Sequence, residues 1–371
     1  MVRDSPADVD VLLVAGARPN FVKIAPLHRA IAQQSQLRQL LLHTGQHHDF
    51  EMSQVFFDEL EIPAPDVHLG ANSGTHARQT ASIMVAFEEF LGKTRPRMLV
   101  VVGDVNSTLA CSVVAAKAGV PIAHVEAGLR SFDRSMPEEI NRIVTDSLSH
   151  LLYTTCDDGT NNLLREGVPQ ECIHQLGNVM IDTLARYKKR AEALPPELPA
   201  AFSGQPYALA TIHRPSNVDE AEALERVVTI VEDTARQIAV VFPVHPRTRR
   251  NLDTLGMNGR LESAGVYVRP PLGYLKFLRL MLGASVVLTD SGGIQEETSV
   301  LGVPCLTLRR NTERPVTVTH GTNRLVGLDR ERVREGIERV LQGQWSRGSI
   351  PPGWDGHAAE RIARHLANEL G

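Results

Sequence analysis

The sequence is poor in the features that mark metal-binding, secreted, membrane or nucleic-acid-binding chains. Its four cysteines, Cys111, Cys156, Cys172 and Cys305, are scattered through 371 residues with no CxxC pair. That spacing argues against a zinc site or a disulfide framework and reads as reduced, cytoplasmic thiols. No apolar run approaches the ~18 residues of a membrane span. The N-terminal stretch MVRDSPADVD is polar and acidic, unlike a signal peptide, and runs straight into a strand. Basic residues are not in excess: 39 Lys and Arg stand against 43 Asp and Glu, a formal net charge of −4. The chain therefore has no global field for nucleic acid or an anionic membrane. After the first strand-like run the sequence reads GARPNFVK, without GxGxxG, and GxxxxGK[ST] does not occur. The usual dinucleotide fingerprint and the P-loop are both missing. So are internal repeats and low-complexity tracts.

What is present is ordinary globular composition, 42% apolar and 22% charged, arranged as alternating strand-like and helix-like segments. VLLVAG, LLLHTG, MLVVVGD, PIAHVEAG and LLYTT form one series, with helical spacing between them. A second series follows residue 207: YALATIH, IAVVFPVH, GVYVRP, SVVLTDSGG and PCLTLR. Continuous apolar strands alternating with helices predict parallel sheets covered on both faces. Two such series, separated by EALPPELPAAFSGQP at 192–206, predict an α/β chain of two doubly wound domains.

In such sheets a ligand lies beyond the carboxyl ends of the strands, and polar residues gather there. Arg18 and Lys23 follow the first strand, Gln46 the second, and Asp104 the run MLVVV. Glu126, Glu138 and Glu139 come after PIAHV, His213 and Arg214 after YALATI, and His245 after VVFPV. Their recurrence on both halves predicts one cleft between two domains. Each also has a plainer reading: Asp104 as a helix cap, Glu138 and Glu139 as acids complementing a helix dipole. The stretch LTDSGGIQEE is more pointed. Ser291 and the amides of Gly292 and Gly293 at a helix N-terminus suit a diphosphate. Glu297, a turn further in, suits ribose hydroxyls, and Arg18 and Arg314 suit phosphate oxygens. The predicted ligand is a nucleoside diphosphate with something attached.

The order of motifs resembles the non-hydrolysing UDP-N-acetylglucosamine 2-epimerases. It runs through GARPNFVKIAPL, TGQH, GDVNST, HVEAGLRS, PEEINR, LGN, TIHRPSN, HPRT, DSGGIQEE and TERPVTVTHGTNRLVG, over nearly the whole chain. The resemblance implies two Rossmann-like domains of GT-B type, 1–178 with a returning helix at 356–371, and 179–355. It implies a homodimer and reversible epimerisation at carbon 2 of a UDP-sugar through a 2-acetamidoglycal, with no redox cofactor or metal. By the same resemblance Asp104, Glu126, Glu138 and His213 are catalytic. Asp104 and Glu138 are the expected proton-transfer pair, and Glu126 and His213 shape the sugar site and assist the leaving diphosphate. Arg18, Lys23, Ser291, Gly292, Gly293, Glu297 and Arg314 are expected to hold UDP. Gln46, Arg78, Arg214 and His245 match positions of a second, activating nucleotide site. Asp49 and the replacement of HRRE by HRPSN depart from that pattern and predict weak activation by substrate. A hydrolysing 2-epimerase, an enzyme for a related UDP-acetamido sugar, and a non-catalytic UDP-sugar sensor are the alternatives.

Overall fold

A computed structural model describes residues 9–46, 57–71, 74–202 and 204–371. The chain divides into two compact units, Met1–Arg186 with Pro352–Gly371, and Tyr187–Pro351. The first holds strands β1 (Val11–Ala15), β2 (Gln39–His43), β3 (Val67–His68), β4 (Met98–Val102), β5 (Ile122–Ala127), β6 (Leu151–Thr154) and β7 (Ile173–Gln175). They form one sheet in the order β3-β2-β1-β4-β5-β6-β7, and every described pairing is parallel. Both β1 and β4 are buried along their whole length. This explains why VLLVA and MLVVV carry no polar alternation: helices cover both faces. On one face Leu12, Val14, Leu99 and Val101 pack with Ile83 and Phe87 of the helix His76–Leu91 and with Ala110 and Cys111 of the helix Asn106–Lys117. Burial pushes the Cys111 thiol far above its ordinary range, as befits a core side chain.

The second unit repeats the plan with β8 (Tyr207–Thr211), β9 (Ala239–Pro243), β10 (Tyr267–Arg269), β11 (Val286–Thr289), β12 (Cys305–Thr307) and β13 (Asn323–Leu325). Their order is β10-β9-β8-β11-β12-β13, again parallel at every described pair. Its core joins Ala208, Val240, Phe242 and Leu288 to Leu224, Val228 and Val231 of the helix Ala221–Ala235. In each sheet the strand order reverses once, between β1 and β4 and between β8 and β11. Those reversals open crevices at the carboxyl rim, where a ligand can reach backbone groups. Strands β3, β7 and β13 were not expected from the sequence; two or three residues are too few to show a period.

The helix Ala358–Leu370 belongs to the first unit and packs on the helix Arg18–Ala32. Its buried face is Ala358, Ala359, Ile362, Ala363, Leu366, Ala367 and Leu370. Its first turn is fastened by Asp182, whose carboxylate accepts the N–H groups of Ala358 at 3.1 Å and Ala359 at 2.6 Å. Trp354, almost fully buried, donates its indole N–H to Thr155 O at 2.9 Å just before that helix. Asp182 thus caps a helix from about 180 residues away, satisfying N–H groups that no local side chain reaches. Replacing Asp182 by Ala should lower unfolding free energy by about 1–2 kcal/mol. Asp182→Asn, which keeps an acceptor, should lose less. Urea unfolding of the three proteins checks this; equal loss in both variants would mean that the cap bonds contribute nothing.

Candidate active site

At the carboxyl rim of the first unit, β4 runs into Gly103 and Asp104. Gly103 has φ +67°, and a Cβ there would stand 3.3 Å from both Glu126 Oε2 and Lys23 Nζ. Glycine therefore lets the backbone turn hard against a buried ion pair, Lys23 with Glu126. Glu126 itself lies in the left-handed region, φ +73°, where the register of β5 with β6 shifts between Val125 and Ala127. A glutamate held in that conformation is strained by about 1–3 kcal/mol. The bulge turns its carboxylate toward Gly103 instead of along the strand.

Asp104 is not a helix cap. The N-cap of the next helix is Val105, and the first-turn N–H of Ser107 is taken by Gln46, not by Asp104. Arg142 instead bridges the carboxylates of Asp104 and Glu139. Asn141 adds a bond to Asp104 O at 2.8 Å, so the helix Pro137–Leu148 is pinned to the Asp104 turn. Its two leading acids have separate fates. Glu139 is buried and accepts from Ser131 N, Ser131 Oγ and Phe132 N at 2.8–2.9 Å. Glu138 is half-buried and, among the described residues, has no hydrogen-bond or ion-pair partner. Arg18 opens the helix Arg18–Ala32 just beyond β1; its side chain lies outside the described residues.

At the rim of the second unit the buried Asp290 follows β11. It accepts from His213 N at 3.0 Å, Arg214 N at 2.9 Å and Asn217 Nδ2 at 3.0 Å. Its Oδ1 stands 3.2 Å from His213 Nδ1. The turn after β8 is thereby tied to the first residue after β11. Next comes Ser291, N-cap of the helix Gly292–Leu301, with no side-chain cap bond. A Cβ on Gly292 would overlap the Arg314 guanidinium and approach Glu313 Oε1 to 2.8 Å, so glycine admits the cation to the helix N-terminus. Arg314 is itself gripped by Glu296 at 2.8 Å and Glu313 at 2.5 Å. The paired acids of LTDSGGIQEE accordingly divide: Glu296 holds Arg314, and Glu297 accepts from Tyr274 Oη at 2.8 Å. Burial, with the neighbouring Glu296 adding to it and the Tyr274 bond opposing, pushes the Glu297 carboxyl up to about 7.

Each unit thus collects part of the predicted set. Lys23, Asp104, Glu126 and Glu138 are on the first, and His213, Ser291, Gly292, Gly293, Glu297 and Arg314 on the second. Of the residues matched to an activating site, Gln46 accepts from Ser107 N at 3.0 Å and Ser107 Oγ at 2.6 Å. Arg78 is exposed on the first turn of its helix. Arg214 reaches Glu313 at 3.4 Å, and His245 caps the helix Pro246–Thr254 with its ring 5.3 Å from that of His213. Asp49 falls outside the described residues. Sequence reasoning missed Arg142 and Asp290, whose partners Asp104, His213 and Arg214 lie in other segments, and read Glu139 only as an acid complementing a helix dipole. Among the described residues no group of three or more His, Cys, Asp or Glu is arranged to hold a metal.

Two parallel doubly wound units, one with clustered carboxylates and one with an open helix N-terminus beside an arginine, define a nucleotide-dependent α/β protein of GT-B-like build. The comparisons narrow this. The family model for UDP-N-acetylglucosamine 2-epimerase matches residues 29–367. The UDP-N-acetylglucosamine 2-epimerase of Methanocaldococcus jannaschii is 40% identical over 361 residues, 95% of this chain and 98% of that protein. The UDP-2,3-diacetamido-2,3-dideoxy-D-glucuronate 2-epimerase of Pseudomonas aeruginosa is 40% identical over 365 residues, 96% of this chain and 99% of that one. A crystal structure of the M. jannaschii enzyme in complex with UDP-GlcNAc and UDP aligns with a TM-score of 0.90, covering 97% of this chain and 100% of that one. The chain belongs to the UDP-N-acetylglucosamine 2-epimerase family.

The raised Glu297 carboxyl has a consequence for stability. Its folded value, about 7, exceeds the ordinary 4.5, so at intermediate pH the native state holds a proton that the unfolded chain has released. The native state is penalised as pH rises through this window, and the penalty is complete above about 7. Glu297→Gln should therefore be more stable than the wild type at pH 8, by on the order of 1–3 kcal/mol. The advantage should vanish near pH 4. Denaturant unfolding across this range checks it; a difference independent of pH would contradict it.

Proposed function

We propose that this chain interconverts UDP-GlcNAc and UDP-ManNAc at carbon 2 by eliminating and re-adding UDP, without releasing free sugar. The observation that carries the reading is the turn at Gly103 and Asp104, with the Glu126 carboxylate against it and the helix whose first turn carries Glu138 pinned to it through Asn141 and Arg142. A carboxylate takes the carbon-2 proton while the carbon-1–oxygen bond to UDP breaks, giving a carbon-1–carbon-2 double bond and UDP. A second group then protonates carbon 2 on the opposite face, and UDP adds back at carbon 1. Asp104, braced by Arg142, and the half-buried Glu138 are our assignment for the two proton transfers. Glu126, aimed by its bulge and paired with Lys23, shapes the sugar site. His213, beside Asp290, meets the charge that develops on the departing diphosphate.

The second unit's contribution is most of the UDP-binding set. The first-turn amides after Ser291, at Gly292 and Gly293, suit the diphosphate, with Arg314 at their side and Arg18 as a further cation. Glu297 suits the ribose hydroxyls, which would replace part of the hydration that burial removes from its carboxylate. Lys23, paired with Glu126, is a further cation for UDP in this reading. Gln46, Arg78, Arg214 and His245 would serve a second nucleotide. The engagement of Gln46 with Ser107 and the acid at Asp49 favour weak activation. We also assign the enzyme to the cytoplasm as a homodimer. The equal identity of the P. aeruginosa relative supports a second reading, a UDP-diacetamido-uronate as substrate.

An NMR time course in heavy water, run with UDP-GlcNAc and EDTA, tests the reaction. UDP-ManNAc carrying deuterium at carbon 2 is expected. Free N-acetylmannosamine would mean hydrolysis, product without deuterium would exclude elimination, and turnover only of the diacetamido-uronate would select the second reading. Asp104→Asn and Glu138→Gln should each lower turnover by about 10²–10⁴-fold, with UDP affinity retained. Near-normal turnover in either variant would remove that residue from the proton-transfer pair.

A further inference from the structure

Behind the Asp104 turn lies a charged cluster that the reaction as written does not use. His124, on β5, is fully buried. Its Nδ1 is 2.6 Å from Asp146 Oδ1, and its Nε2 is 2.9 Å from the carbonyl oxygen of Gly103. Asp146 Oδ2 accepts from Gly128 N at 3.1 Å and pairs with Arg130 at 2.7 Å. Arg130 in turn makes a two-point pair with Glu166 at 2.7 and 2.6 Å. The acids and cation near the ring are therefore Asp146 on the helix Pro137–Leu148, Arg130 on the loop after β5, and Glu126 two residues on along the same strand, already paired with Lys23.

Both ring nitrogens face acceptors. A neutral imidazole has one N–H and would leave one of these short contacts as a meeting of lone pairs. Asp146 is a poor source of the missing proton, because Arg130 pairs with its other oxygen at 2.7 Å and the Gly128 N–H donates to that oxygen at 3.1 Å, both favouring the carboxylate. Only the imidazolium satisfies both sides. Gly103 is held from its other end as well, its N–H donating to Val125 O at 3.0 Å. The peptide that leads into Asp104 is thus fixed at both its neighbouring polar groups, one bond being charge-assisted.

We propose that His124 is a positioning residue, an imidazolium locked between Asp146 and the Gly103 carbonyl that fixes the turn from which Asp104 works. It touches no substrate and acts through Gly103. The inference rests on the proton-transfer role proposed for Asp104 only where turnover is the readout.

Two measurements on the full chain test it. Nitrogen-15 NMR of the histidine rings, assigned by the signal lost in His124→Gln, should show His124 with both ring N–H protons in the native protein. A neutral tautomer there overturns the proposal. In kinetics, His124→Phe should lower kcat by about 10²-fold through a misplaced Asp104 turn, while UDP affinity, to which neither His124 nor Asp104 is assigned, is unchanged. His124→Gln, whose amide can still donate to Gly103 O, should recover part of that loss. A full kcat with only a lowered unfolding midpoint would mean that the cluster is structural and would overturn the proposal. If His124→Phe fails to fold, the Gln variant and the wild-type ring signals decide. A wild-type imidazolium in a protein without epimerase activity would refute the proposed reaction and leave the clamp standing.

Discussion

Every described strand pairing is parallel, and that constraint organises the molecule. Parallel strands end on the same side of their sheet, so each sheet has one rim where the backbone leaves the ladder and helices begin. Carbonyl and N–H groups there lose their sheet partners and must find others. Side chains that satisfy them are charged or polar and stand at fixed heights along one edge. A crevice lined by such groups is a consequence of the architecture before any chemistry is assigned to it.

The two units meet this requirement in opposite ways. In the second, one buried carboxylate, Asp290, accepts three backbone and side-chain N–H groups and turns the β8 loop to meet the β11 end. In the first the corresponding turn is held by a cation, His124, which donates to the Gly103 carbonyl. An anion satisfies N–H groups and a cation satisfies a carbonyl, so the two repeats of one plan place opposite charge beneath their rims. Each charge is costly to bury alone and is retained because several hydrogen bonds compensate it.

The fold was readable because its strongest signals are local. Runs such as VLLVA and MLVVV announce strands buried on both faces, and Ser291-Gly292-Gly293 announces a helix entered beside small residues. The pairing of those residues was not readable. Glu138 and Glu139 are adjacent and chemically alike, yet helix phase buries one against Ser131 and Phe132 and leaves the other half-open. Glu296 and Glu297 divide in the same manner between Arg314 and Tyr274. The left-handed backbone of Glu126 has no signature in the string of letters; it follows from a register shift between neighbouring strands. Asp290 was passed over because an Asp after a strand is an ordinary turn residue, and its partners His213 and Arg214 lie 76–77 residues earlier.

The second unit is inserted within the first, since Tyr187–Pro351 interrupts a body completed by Pro352–Gly371. During synthesis, the apolar surface that will receive Ile362, Leu366 and Leu370 is made first and waits uncovered while the whole second unit emerges. The unit carrying the carboxylates therefore finishes folding last, although it is begun first. An arrest of synthesis after residue 351 would leave a finished second unit attached to an unfinished first one. Such an exposed surface is a point of aggregation and of chaperone contact.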